Sequence, residues 1–324
     1  MKGRSATMGK IKMQSLNAET VTIENCFADY IAKCKARNLS EKTIEMYNIR
    51  FSVFQKYLNG KELNPSEIDL EVINEFILFL QKRGCNDITV QSYIRDIRAF
   101  FYYLMKSGFT PEYKIKLPKA DKRIKETYTD EELKKLLKKP NLKRCEFNEY
   151  KMWVFSNYLL ATGNRISTVL NLQIRDLDFD NNVIQLNKMK NRKAQIVPMA
   201  SSLAVILKEY LTYRKGELDD YVFCNSYGGQ GEIRSYQEML AKYNRTRGVS
   251  KTSAHLYRHT FAKRWILNGG DIFRLQKLLG HSDLTVVKEY VNMFSSDLSK
   301  DYSDYNPLDT LGTVRNQSKV GFNI

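Results

Sequence analysis

The sequence has little material for a disulfide scaffold, a flexible repeat or a membrane span. Five cysteines (Cys26, Cys34, Cys85, Cys145 and Cys224) are odd in number, widely scattered and form no Cys-x-x-Cys pair. They read as reduced thiols, not as disulfides or metal ligands. Six Pro and 16 Gly in 324 residues exclude a low-complexity chain, and no internal repeat is visible. Charge interrupts the longest strongly apolar stretches, and residues 1–20 hold no apolar segment of signal-peptide length. The chain therefore reads as soluble, unsecreted and without a membrane partner. Negative charge is also scarce, with 36 Asp and Glu against 52 Lys and Arg, a net charge of +16. What is abundant is aromatic and aliphatic surface: 43 % hydrophobic residues, including 20 Tyr and 16 Phe. That is enough for two cores at this length, and it excludes a disordered basic protein. The excess of cations points to a polyanionic partner, because Lys and Arg that neutralise phosphates release condensed counterions.

Residues 1–20 read as a flexible N-terminus, and residues 21–109 as a helical domain. Four segments with helical periodicity follow one another there, with no strand pattern between them. Ile23, Phe27, Ile31 and Cys34 share the face of the first. The second starts after Ser40 as N-cap, carries Ile44, Tyr47, Phe51, Phe54 and Leu58, and stops at Asn59-Gly60. Val72, Phe76 and Leu80 mark the third, and Val90, Ile94, Ile97, Phe101 and Leu104 the fourth, which ends at Ser107-Gly108. Arg50, Arg95 and Arg98 fall on the polar faces, as phosphate contacts or as an ordinary solvated surface.

Residues 110–127 contain two Pro and six basic residues without apolar periodicity, and read as an interdomain linker. Thr129-Asp130-Glu131-Glu132 is a capping box with an acidic first turn, so a second domain begins near Tyr128 and is expected to run to about residue 305, leaving 306–324 as a tail. This second domain is expected to be α-rich with one small β insertion. Val183–Leu186 and Gln195–Val197 flank a basic turn (Lys188, Lys190, Arg192, Lys193), a hairpin whose tip is offered to an anion.

All three histidines, His255, His259 and His281, lie within 27 residues of one another, and residues 241–270 hold seven Lys or Arg and no acid. In His255-Leu256-Tyr257-Arg258-His259 the polar residues fall at i, i+3 and i+4, on or near one helix face that can hold an anion. His259 reads as a capping or core residue. A zinc site is the rival for this spacing. It lacks a Glu directly after the first His, where Leu256 stands, and a nearby Cys or Asp as third ligand.

Five ordered features make the sequence resemble the tyrosine recombinases, the phage-integrase-type site-specific recombinases. Ala161-Thr162-Gly163-Asn164-Arg165-Ile166-Ser167 is similar to the first-arginine motif of that family, and Met189 to Pro198 to its hairpin, which puts the catalytic lysine at Lys190. His255 to His259 matches its His-x-x-Arg-His box, and Leu278-Leu279-Gly280-His281-Ser282 its third histidine motif. Tyr290 follows His281 by nine residues, the spacing of the family's nucleophile. The resemblance implies a mainly α fold, with an N-terminal four-helix core-binding (SAM-like) domain and an α-rich catalytic domain, closing on duplex DNA as a C-shaped clamp.

The roles it implies agree with the chemistry. Phosphodiester exchange without a metal needs cations placed on the non-bridging oxygens, and guanidinium forks suit this better than ammonium groups, hence Arg165 and Arg258. A tyrosine near pKa 10 needs a base and a positive field, so His255 becomes the candidate base for Tyr290. Lys190 would protonate the leaving 5′ oxygen, His281 would donate to the phosphate, and His259 would support the site. No cofactor is implied. The implied partners are double-stranded DNA, a homo-tetramer on two DNA sites, and accessory DNA-bending proteins, in the cytoplasm of a bacterium at its nucleoid. One position departs from the pattern. Where the family places an acid three residues after the first arginine, this chain has Thr168. That departure keeps open a DNA-binding protein of the same fold with impaired catalysis. A type IB topoisomerase shares the chemistry but needs no partner site.

Overall fold

The computed structural model describes residues 22–120, 126–187 and 194–280, which fall into two units divided between Arg123 and Ile124. The readings that concern residues 1–20, the tail 306–324, Lys190, His281 and Tyr290 lie outside the described residues.

Four helices build the first unit: α1 (Ile23–Ala36), α2 (Glu41–Leu58), α3 (Leu70–Lys82) and α4 (Asp87–Lys106). Each starts where a short polar side chain takes an orphan N–H of the first turn: Thr22, Ser40, Asp69 and Asn86. Asn59 closes α2 in the left-handed conformation. The core is aromatic. Phe27 and Phe51 stack with centroids 3.8 Å apart, and Phe100 meets both edge-on at 5.1 and 5.6 Å. A second cluster sets Phe54 against Phe76 and Phe101 at 5.1 and 5.3 Å. Such pairs add about 0.5–1.5 kcal/mol each beyond the area they bury.

Residues that the sequence marks as linker belong in part to this unit. Ile115 is buried in its core, the Thr110 hydroxyl donates to the Pro65 carbonyl, and the Tyr113 hydroxyl to that of Ile68 at 2.6 Å. The Gln91 side-chain amide holds Pro118 O at 3.0 Å. Apolar periodicity misses such a segment because a few isolated anchors, not a repeating face, fasten it. Two polar-face arginines also turn inward. Arg50 lies 3.8 Å over the Tyr93 ring with Nε 3.2 Å from Asp96, and Arg98 donates to Ile115 O at 3.3 Å.

The second unit contains α5 (Asp130–Leu137), α6 (Phe147–Thr162), the one-turn α7 (Ile166–Val169), a three-stranded antiparallel sheet, α8 (Ser201–Arg214), α9 (Ile233–Thr246), α10 (Ala254–Leu267) and α11 (Ile272–Leu279). The strands are β1 (Leu177–Asp178), β2 (Val183–Leu186) and β3 (Gln195–Pro198), in the order β1-β2-β3. β2 and β3 form the expected hairpin, with Leu186 opposite Gln195 at the end next to the connecting turn. β1 is too short to show a period. The Thr129–Glu132 capping box starts α5 as its sequence implies. Buried α6 lies at the centre of this unit, packed by α5, α8, α9 and α10. Among the described residues no helix is long and apolar enough to cross a membrane.

Candidate active site

The site is assembled at the ends of helices. α6 stops at Gly163 in the left-handed conformation (φ 62°), and the chain turns through buried Asn164 to Arg165, the residue that opens α7. Asn164 is pinned from both sides: its N–H donates to Thr162 Oγ1 and its amide to the buried Tyr158 hydroxyl, both at 3.3 Å. Glycine is required at 163 on two counts. L residues avoid this φ, and a Cβ there would come within 2.6 Å of the Phe261 ring and 2.9 Å of the Leu279 side chain.

α10 supplies the second arginine. Ser253 caps it by accepting the His255 N–H at 3.2 Å, which leaves His255 in the exposed first turn. The opposite side of α10 is bolted into the core. The Tyr257 hydroxyl reaches Ser156 and Asn244, and burial pushes its pKa up to about 12. The Thr260 hydroxyl accepts the Tyr128 N–H and donates to Leu256 O. With that side fixed, Arg258 is only 5 % exposed and its guanidinium bridges two helix ends. Nη1 donates to Gly163 O at the end of α6, and Nη2 to Leu279 O at the end of α11, both at 2.8 Å.

Arg165 Nη1 reaches the same Leu279 carbonyl at 3.5 Å. The two arginines, 93 residues apart in sequence, therefore meet at one oxygen. A C-terminal helix carbonyl carries partial negative charge, which favours cations there. An anion with several oxygens, as phosphate has, can accept from both guanidinium forks at once. Gly280 then ends α11 at φ 60°, one residue before His281.

The hairpin is tied to the same helix end. Gln195 Nε2 donates to Lys277 O and, at 3.4 Å, to Leu278 O. On the other arm Asn187 Nδ2 donates to the buried Asp176 carboxylate at 2.8 Å, whose second oxygen accepts the Gln173 N–H at 2.9 Å. Reasoning from sequence singled out neither Asp176 nor Asn187, and read Gln195 only as the start of a strand. Their partners are backbone groups or residues distant in sequence, and only a buried acid beside short strands marks the place.

Thr168 is buried in α7, and His259 is half-buried on α10. The acid-free run is less exposed to a ligand than its composition implies, because acids on α5 and α6 answer it. Arg247 meets Glu149 at 3.1 Å, Lys251 meets Glu132 at 3.0 Å, and Arg264 meets Asp130. Among the described residues no group of three His, Cys, Asp or Glu could hold a metal ion.

Comparison with known proteins agrees with this architecture. A model described as the phage integrase family matches residues 126–296, more than half of the chain, and one described as the phage integrase SAM-like domain matches residues 23–123. The chain belongs to the phage integrase family, the tyrosine recombinases. It is 26 % identical over 284 residues to the tyrosine recombinase XerD of Oceanobacillus iheyensis and 28 % over 284 residues to that of Listeria monocytogenes. Each alignment covers 84 % of this chain and 94 % of the relative. Among solved structures the fold is similar to that of the Tn1549 transposon integrase in complex with transposon right end DNA, with a TM-score of 0.69 and 20 % identity over 87 % of this chain and 99 % of that one. It is also similar to XerH bound to a palindromic difH substrate, with a TM-score of 0.65 and 21 % identity over 89 % and 91 % of the two chains.

Proposed function

We propose that this protein is a site-specific DNA recombinase that cuts and rejoins DNA through a covalent 3′-phosphotyrosine at Tyr290. Family membership supplies the reaction class, DNA strand breakage and rejoining. The observation that carries the assignment of residues is the meeting of Arg165 and Arg258 at Leu279 O, one residue short of the Gly280-His281 step.

In this reading the two guanidinium forks and a hydrogen bond from His281 hold the non-bridging oxygens of the scissile phosphate, and stabilise the charge that grows there. The Tyr290 oxygen attacks phosphorus and passes its proton to His255. The new tyrosyl ester bond forms as the bond from phosphorus to the 5′ oxygen breaks, and the Lys190 ammonium gives its proton to that oxygen. A 5′ hydroxyl from a partner strand reverses these steps and reseals the DNA. One phosphodiester replaces another, so the exchange balances without an external energy source. The reading extends to a homo-tetramer joining two DNA sites, to DNA-bending accessory proteins, to work at the nucleoid in the bacterial cytoplasm, and to integration or inversion at a mobile locus. The similar solved structures include DNA complexes of an integrase and of a recombinase, which supports DNA as the partner.

Covalent trapping tests it. Incubation of wild type and Tyr290→Phe with nicked suicide duplexes from the native locus, followed by denaturing gels, is expected to give a DNA-linked band for wild type alone. Tight binding without a band would favour the catalytically impaired binding protein and make Thr168→Glu the first restoration to try.

A further inference from the structure

Side chains from elsewhere in the second unit reach the last three carbonyls of α11, of which Lys277 O also accepts the Gly280 N–H at 2.9 Å. Arg165 and Arg258 share Leu279 O, while Gln195 takes Lys277 O and Leu278 O. Gln195 is the first residue of β3, opposite Leu186, and the sheet behind it is anchored at Asn187 by buried Asp176. β3 thus fixes the one helix end at which the two arginines meet. An unrestrained α11 terminus would fray, as helix ends do, and would carry the shared carbonyl with it.

We propose that Gln195 is a positioning residue for the arginine pair: it holds the C-terminus of α11 so that Arg165 and Arg258 converge on the same phosphate. It touches neither substrate nor reacting atoms. Its effect runs through Leu279 O, and a shift of the forks by a fraction of an ångström weakens transition-state binding more than DNA affinity. This inference deepens the reading above and rests on it.

The probe is the charge of the scissile phosphate. A methylphosphonate at that position replaces one non-bridging oxygen by a methyl group and removes the negative charge, so cleavage of it depends far less on the arginines. Gln195→Met keeps the length of the side chain and loses the donor. On ordinary phosphate it is expected to form the covalent adduct about tenfold more slowly than wild type, with duplex binding within about twofold. On methylphosphonate its deficit is expected to shrink to about twofold or less. A deficit equal on both substrates, or none on phosphate, overturns the proposal. Arg258→Ala is the control. It is expected to lose about 100-fold or more on phosphate and to recover most of that on methylphosphonate. Failure of the control to recover refutes the assignment of the arginines itself, whereas recovery of the control without recovery of Gln195→Met refutes only the role of Gln195.

Discussion

The two units of this chain are stabilised by different materials. The first is an aromatic cluster held by helices with conventional caps, and Thr110 is the only buried polar residue described in it. The other nine of the ten buried polar or charged residues, among them Lys151, Asn164, Asp176, Asn244 and Arg258, lie in the second unit. Apolar burial is non-directional and forgiving of small shifts, while buried hydrogen bonds fix particular atoms and are costly when one partner is lost. The contrast assigns rigidity of shape to the first unit and rigidity of atomic position to the second, where a phosphate has to be met by two arginines at once.

The largest expected effect breaks the apolar side of this comparison. Phe100 lies against Phe27, Phe51, Tyr30 and Phe101, and Phe100→Ala is expected to cost about 3–5 kcal/mol of stability. Calorimetry should show the melting transition of the first unit shifted, while that of the second stays in place. A common shift of both transitions would mean that the two units do not unfold separately.

A pair of glycine substitutions tests the positional side. Gly108 in the first unit and Gly163 in the second both have positive φ, 76° and 62°. A Cβ at Gly108 would meet nothing within 4 Å, so Gly108→Ala is expected to cost about 1 kcal/mol and leave adduct formation unchanged. Gly163→Ala adds contact with Phe261 and Leu279 to the same backbone strain, for about 2–3 kcal/mol in total. It also moves two groups that Arg258 holds, Gly163 O and the Leu279 residue, so covalent trapping is expected to slow by about tenfold or more. Equal effects of the two substitutions on trapping would remove the distinction.

The same contrast explains what could be read from the sequence. The four helices of the first unit were legible because a 3.6-residue period, Ser40 and Asn59-Gly60 are local signals. The hairpin was legible through two short apolar runs flanking a basic turn, and Arg165 and Arg258 through motif and spacing. Their meeting point was not. Leu279 O is a backbone atom 114 residues from Arg165 in sequence and 21 from Arg258, and no composition marks a carbonyl as an anchor. The seven cations of residues 241–270 look like a phosphate footprint because the acids that answer Arg247, Lys251 and Arg264 stand on α5 and α6, over 90 residues away.

The smallest expected effect asks whether every buried polar group of the second unit belongs to the positional network. Lys151 sits in the second turn of α6, 3 % exposed, with its ammonium 3.2 Å from Cys224 O and 5.4 Å from the centre of the Tyr236 ring. Burial lowers its pKa from the ordinary lysine value. That carbonyl also accepts the Tyr236 hydroxyl at 2.7 Å, so it keeps a partner if the lysine is removed. Lys151→Met is therefore expected to be neutral or stabilising by about 0.5 kcal/mol at pH 7, since relief of charge burial outweighs the lost contact with the ring. The sign with pH follows from proton counting. Between the lowered folded pKa and the ordinary value the unfolded chain binds the extra proton, so wild-type stability rises with pH through that window. Lys151→Met lacks this rise, and its advantage in denaturant midpoint should shrink as the buffer is taken from neutral to alkaline. A loss of several kcal/mol at neutral pH would instead make Lys151 a member of the network that holds the arginines, and extend the positional character of the second unit to the N-terminal turns of α6.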